Sequence, residues 1–304
     1  MRYLRHYPRF LQTILLMLLI FTLSSFSFIV ANFGVTKFFG LEMGRLEGLE
    51  NANVVHAMQW VQGVTSLFTF LLSALLFAYL CHPRPAAYLG LRRPGSGQML
   101  LLAVGLIMAA VPLLAQLGAW MQLLDFGKGV RASFEEQQRM MKALMAGTTF
   151  GDLALYLLLF AVLPAVGEEL LFRGVVMRFA YHNSKNIHFA VLFSAGIFGL
   201  AHGSVYHFVP IMLAGVMLGY IYYLSGSLWL SMLAHFTNNA LAVLGLFAAN
   251  RKAISPALAE AEGLPWYVLL ISVGVLAAVA WAIKQNATPL PTDWSDDFRG
   301  EGIN

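Results

Sequence analysis

Apolar runs of roughly twenty residues recur along the whole chain, and each is long enough to cross the hydrocarbon core of a bilayer as an α-helix. The first is "LQTILLMLLIFTLSSFSFIVA", and the full set places candidate spans at residues 10–31, 61–80, 99–124, 151–173, 187–203, 208–224, 229–249 and 265–284. Connectors such as "CHPRPAAYLGLRRPGSG" and "SGS" are short and rich in turn formers. The alternating segments of about ten residues that mark a membrane β-barrel are absent. The chain therefore reads as all-α, a polytopic membrane helix bundle of about eight transmembrane helices. Composition agrees, since 11% of the residues are charged and 59% hydrophobic, where a soluble chain carries about a quarter charged residues.

Three regions are expected: N-terminal membrane helices over 1–149, a core of four spans over 150–250, and a last span with a polar tail over 251–304. The basic start "MRYLRHYPRF" is like that of a signal peptide, but the apolar run behind it exceeds the usual length of about 7 to 15 residues and lacks a small-x-small cleavage site. A retained first span is expected. Net charge is +4, with basic residues in short clusters beside apolar runs, which suits membrane orientation and excludes a nucleic-acid partner. Placing the N-terminus inside puts Arg84, Arg92, Arg93, Lys185 and Lys284 on the cytoplasmic side, so both termini are expected there. "GVRASFEEQQRMMKALMAG" has helical apolar spacing and reads either as an amphipathic helix at the interface or as a solvated loop helix. "TPLPTDWSDDFRGEGIN" reads as a disordered tail. Cys81 is the only cysteine, which excludes an internal disulfide and a Cys-based zinc site.

An ionisable side chain in hydrocarbon costs several kcal/mol, so those that persist in spans face a protein interior and mark function. Glu168, Glu169 and Arg173 lie in the fourth candidate span, His202 in the fifth, and His235, Asn238 and Asn239 in the seventh. Glu169 and Arg173 are four apart and share a helical face, which allows an ion pair that fixes the helix; Glu168 points about 100° away, outside that pair. The fourth helix should continue past "GVVMRFAY" and turn near Lys185, which puts Glu168 and His202 each about 25 Å along its helix from the turn. His235 and Asn239 also share a face. Glu168, His202, His235 and Asn239 are thus expected to line one polar cavity.

A glutamate in an apolar site is suited to take a proton from water and later give it to a leaving amine. A histidine at the same depth can orient that water, while a second histidine and an amide can donate to the oxyanion of a peptide carbonyl. Amide hydrolysis follows. No "HExxH" or "GxSxG" points to another hydrolase class. Glu168, His202 and His235 also make an acceptable ligand set for a catalytic zinc, although no cofactor is expected.

"EELLFR", "FGLAH" and "HFTNN" follow the EExxxR, FxxxH and HxxxN pattern on successive helices. In this the chain resembles the CPBP family, also called Abi or type II CAAX prenyl protease-like proteins, over roughly residues 150 to 250. The resemblance implies an intramembrane glutamic endopeptidase, formerly placed among metalloproteases, in a cell membrane. It implies Glu168 as general base, His202 as its partner on the water, His235 and Asn239 as oxyanion stabilisers, and Glu169 and Arg173 as supports. Eukaryotic members remove the last three residues of prenylated CAAX proteins, so a membrane-associated protein or peptide substrate is implied within the lipid bilayer. Some bacterial relatives serve bacteriocin immunity or protein–protein roles. A non-enzymatic immunity or scaffold factor, or a proton-coupled carrier, is the alternative.

Overall fold

A backbone in hydrocarbon must satisfy its own N–H and C=O groups, and a helix does so within one segment. The computed structural model describes residues 3–46, 48–253 and 263–291, and among these no strand occurs. The helices in chain order are α1 Arg9–Phe39, α2 Ala52–Cys81, the short α3 Pro85–Tyr88, α4 Gly97–Gln122, α5 Lys128–Leu144, α6 Phe150–Ser184, α7 Ile187–Ala201, α8 Val205–Ser225, α9 Leu228–Asn250 and α10 Trp266–Gln285. Seven are long and apolar enough to cross a membrane: α1, α2, α4, α6, α8, α9 and α10. The expected span at 187–203 is the shorter apolar helix α7, of 15 residues. The protein is a multi-pass membrane helix bundle.

Local chemistry sets the helix ends. Thr149 and Asp152 form a reciprocal capping box at the start of α6. The Asn186 side chain accepts from the N–H groups of His188 and Phe189 to start α7. Between them Lys185 takes a left-handed conformation at φ 53°, so the turn falls at the residue where the sequence suggests it. Three stretches, Leu67–Leu72 in α2 and Leu157–Val162 and Leu170–Met177 in α6, widen to π-helical bonding. Such widening shifts the faces that later residues present.

The chain forms two compact units. The first takes in residues 1–85, 125–168 and 236–262. Leu144, Met145, Tyr156, Leu159, Phe160 and Val243 form a buried cluster in it. Gln59 donates to the Leu144 carbonyl at 2.7 Å, Asn250 donates to that of Met145 at 2.6 Å, and the Gly147 N–H donates to the Tyr156 hydroxyl at 2.7 Å. The 144–147 backbone is thereby fastened to three helices. Helix α5 buries Phe134 and Leu144 and exposes most of its charged residues, Glu136 and Arg139 among them. Of the tail expected to be disordered over 288–304, the first residues are held in place, because the Thr288 and Leu290 N–H groups donate to the Leu224 and Tyr223 carbonyls and Leu290 is buried; residues 292–304 and the first two residues lie outside the described residues, and so do the expectations for the rest of the tail and for the termini.

The second unit takes in residues 86–124, 169–235 and 263–304. Its core gathers Met99, Ala103, Leu106, Ile107, Leu218, Ile221, Leu230, Ala234 and Ile283. Between helices in lipid, close packing replaces removal from water as the attraction, and small residues permit it. On α8, Gly215 and Gly219 are four apart, and a Cβ on them would lie 3.2 Å from the Ala195 Cβ and 3.0 Å from Val191. These glycines admit α7. Residues 88–92 dock by backbone bonds: Arg178 donates to the Tyr88 carbonyl at 2.6 Å, the Leu228 N–H to Gly90 at 3.0 Å and Ser227 to Arg92 at 2.5 Å. Gly90 has φ 75° and lies against the Tyr222 ring, so a larger residue would be strained twice over.

Candidate active site

The second unit holds a buried polar network around Glu169. Arg173 and Glu169 are fully buried, and Nη1 of Arg173 donates to Oε1 of Glu169 at 2.5 Å. The pair that the i, i+4 spacing suggests is formed. Arg173 also donates through Nη2 to the Gly215 carbonyl of α8 at 2.9 Å, and its guanidinium lies 4.5 Å from the Phe198 ring centroid. Gly215 keeps this approach open, since a Cβ there would stand 3.2 Å from Nη2.

Glu169 has two further donors, both on α9. The Ser231 hydroxyl lies 2.6 Å from Oε2 and 3.0 Å from the Leu218 carbonyl, and its single hydrogen is shared between these acceptors. Nδ1 of His235 lies 3.0 Å from Oε1. A carboxylate paired with arginine only accepts, so Nδ1 carries the hydrogen and Nε2 is the ring nitrogen outside this bond. One carboxylate therefore joins α6 to α9, and through Arg173 the network reaches α8.

The same reasoning fixes His202, the C-cap of α7. Its Nδ1 lies 2.8 Å from the Phe198 carbonyl, which can only accept, and Nε2 again remains. The Phe198 ring stands edge-on to both histidines, with centroids 4.8 Å from His202 and 5.7 Å from His235. Phe198 thus touches Arg173 and both imidazoles.

Glu168 and Asn239 belong to the first unit. Glu168 is buried, and a Cβ on the preceding Gly167 would lie 3.1 Å from the Phe70 Cβ, so the glycine lets α2 approach α6 closely. Asn239 is half-buried and accepts at Oδ1 from the Asn238 amide at 3.2 Å. Among the described residues, no group of three or more His, Cys, Asp and Glu side chains is placed to hold a metal ion.

Ser231 is the member of the network that sequence reasoning passes over, while Phe198 enters it only as the first letter of the FxxxH pattern, without a role. For Ser231 a signal exists. Ser231, His235 and Asn239 succeed one another at four-residue intervals, which puts the serine on the histidine's face of α9. Phe198 opens "FGLAH" but carries no polar atom to draw notice.

An all-helical multi-pass protein with an arginine–carboxylate–histidine network inside its bundle has the makings of an enzyme that works on membrane-associated substrates. Residues 150–241 match the family model described as Rce1-like, type II CAAX prenyl endopeptidase. That segment is just under a third of the chain and contains all three motifs. No curated protein and no solved structure matches the chain.

Proposed function

We propose that the protein is a glutamic intramembrane endopeptidase that hydrolyses a peptide bond of a membrane-associated protein or peptide. Glu168 takes one proton from a water molecule whose other hydrogen is accepted by Nε2 of His202. The water oxygen attacks the carbonyl carbon, and the oxyanion that forms receives hydrogen bonds from His235 and the Asn239 amide. Glu168 then passes its proton to the leaving nitrogen, the oxyanion re-forms the carbonyl as the C–N bond breaks, and an amine and a carboxylic acid, which still holds the water's second hydrogen, are released. The scheme uses no metal.

The observation that carries this reading is the seating of His235 on Glu169. That bond holds the His235 ring by its Nδ1 edge on the buried Glu169–Arg173 pair. Ser231 is a positioning residue: by donating to Oε2 it leaves Oε1 to Arg173 and His235. The roles of Glu168, His202 and Asn239 are supported by their motif positions within the matched segment.

Purified protein in detergent would be given a library of membrane peptides, including prenylated and unmodified C-terminal peptides, and the products read by mass spectrometry. Wild type should release discrete products that Glu168→Ala does not. Identical products from the two proteins, or none from either, would remove the proteolytic reading. A scaffold in which Glu168 serves only as a hydrogen-bonding group would retain its cellular phenotype in Glu168→Gln.

A further inference from the structure

A single aromatic ring touches a residue from each of the three motifs. Phe198, buried on α7, has the Arg173 guanidinium of "EELLFR" 4.5 Å from its centroid, and it packs against His202 of its own "FGLAH" and His235 of "HFTNN" at 4.8 and 5.7 Å between centroids. The two imidazoles therefore stand no farther apart than those last two distances together. The ring is itself seated, since Phe172 meets it at 5.2 Å and 77° and a Cβ on Gly215 would lie 3.1 Å from its Cδ1. All of these residues belong to the second unit.

His202 leans on Phe198 twice. At the end of α7 its backbone N–H turns to the Gly199 carbonyl at 3.3 Å, whereas α-helical bonding would take it to Phe198. The Phe198 carbonyl is then one of the last-turn acceptors that need another donor, and Nδ1 of His202 supplies one at 2.8 Å. The bond made at one ring nitrogen decides which of the two carries the hydrogen. His202 is exposed, and an exposed side chain exchanges rotamers within nanoseconds unless a neighbour holds it. The neighbour here is the Phe198 ring, set at 72° to the imidazole.

From this we infer that Phe198 is a positioning residue: its ring keeps the His202 imidazole on the Phe198 carbonyl, with the hydrogen on Nδ1 and the lone pair on Nε2. The purpose of this hold rests on the proposed peptidase reading, in which Nε2 of His202 accepts from the water; the hold itself does not. His235 has a separate anchor on Glu169, so losing the ring falls first on His202.

Full-length protein carrying 15N-labelled histidine would be studied by NMR in detergent at about pH 8, where an imidazole is ordinarily neutral. The His202 and His235 signals would be assigned by their loss in His202→Gln and His235→Gln. Wild type should show His202 with its hydrogen on Nδ1. Phe198→Leu and Phe198→Met fill space without a flat ring, and two variants keep a packing fault of one from deciding the result. In whichever of them retains a cooperative melt, His202 should become a mixture of the two tautomers while His235 keeps its hydrogen on Nδ1. On the best peptide kcat should fall about tenfold to a hundredfold with KM nearly unchanged, the scale expected for a misplaced catalytic group.

A folded variant that holds His202 wholly in the Nδ1–H form would overturn the proposal, as would a bare Nδ1 on His202 in wild type or a kcat that does not change. Loss of the Nδ1–H form at both histidines would overturn it too, by showing a general loosening in place of a hold on His202. If wild type releases no product, the peptidase reading falls, and the tautomer of His202 still decides whether Phe198 holds it.

Discussion

The two units use buried polar groups in opposite ways. In the first, Gln59, Asn250 and Tyr156 each bond to backbone at 144–147, which closes the connection between α5 and α6. In the second, one carboxylate collects an arginine, a serine and a histidine. The first arrangement is accounted for by the need of backbone groups for partners where water is absent. The second is not, because a buried ion pair is often no more stabilising than apolar residues of the same volume. The pair is thus weak evidence for stability, and the proposed chemistry gives the network's histidine a use that the first unit's polar groups do not have.

Breaking the ion pair should have the largest effect. Arg173→Ala leaves Glu169 buried without its cation and should cost about 3–5 kcal/mol, read as loss of folded protein in detergent. Arg173→Ala with Glu169→Gln should recover part of that stability while leaving any peptidase activity impaired. Recovery of both would reduce the network to a brace like that of the first unit.

Ser231→Ala comes next. Losing a hydrogen bond to a charged acceptor should cost about 1.5–3 kcal/mol in thermal unfolding. If the serine positions Glu169, kcat should fall more than KM changes, and Ser231→Thr, which keeps the hydroxyl, should restore it. Gln59→Ala in the first unit removes two neutral hydrogen bonds, to the Leu144 carbonyl and to His56, and should cost about 0.6–1 kcal/mol for each, the usual scale within a membrane bundle, with kcat unchanged. A Gln59→Ala protein that loses kcat as Ser231→Ala does would erase the distinction between the units. Glu136→Gln on α5 should leave the melting temperature unchanged, since its 3.7 Å contact with Arg139 is solvent-exposed.

What the sequence makes legible follows from which forces are local. Apolar runs reveal the membrane helices because hydrocarbon permits little else. The i, i+4 spacing reveals the Glu169–Arg173 pair, and the short polar run around Lys185 reveals the turn into α7. The docking of residues 88–92 on Arg178, Ser227 and Leu228 is not legible, because it rests on backbone carbonyls, which every residue carries. Nor are the π-helical stretches of α6, since no residue type specifies them. Ser231 falls between these cases: its spacing marks it, but serine is too common in membrane helices to stand out beside a histidine.

The most direct test of a water activated by Glu168 is single-turnover cleavage by Glu168→Gln on the best peptide from the library, with melting temperatures taken on the same preparations. The substitution keeps the shape and removes the base, so cleavage should slow by about 10²–10⁴-fold, the usual share of a general base, at an unchanged melting temperature. Cleavage at the wild-type rate by a folded Glu168→Gln protein would contradict the account.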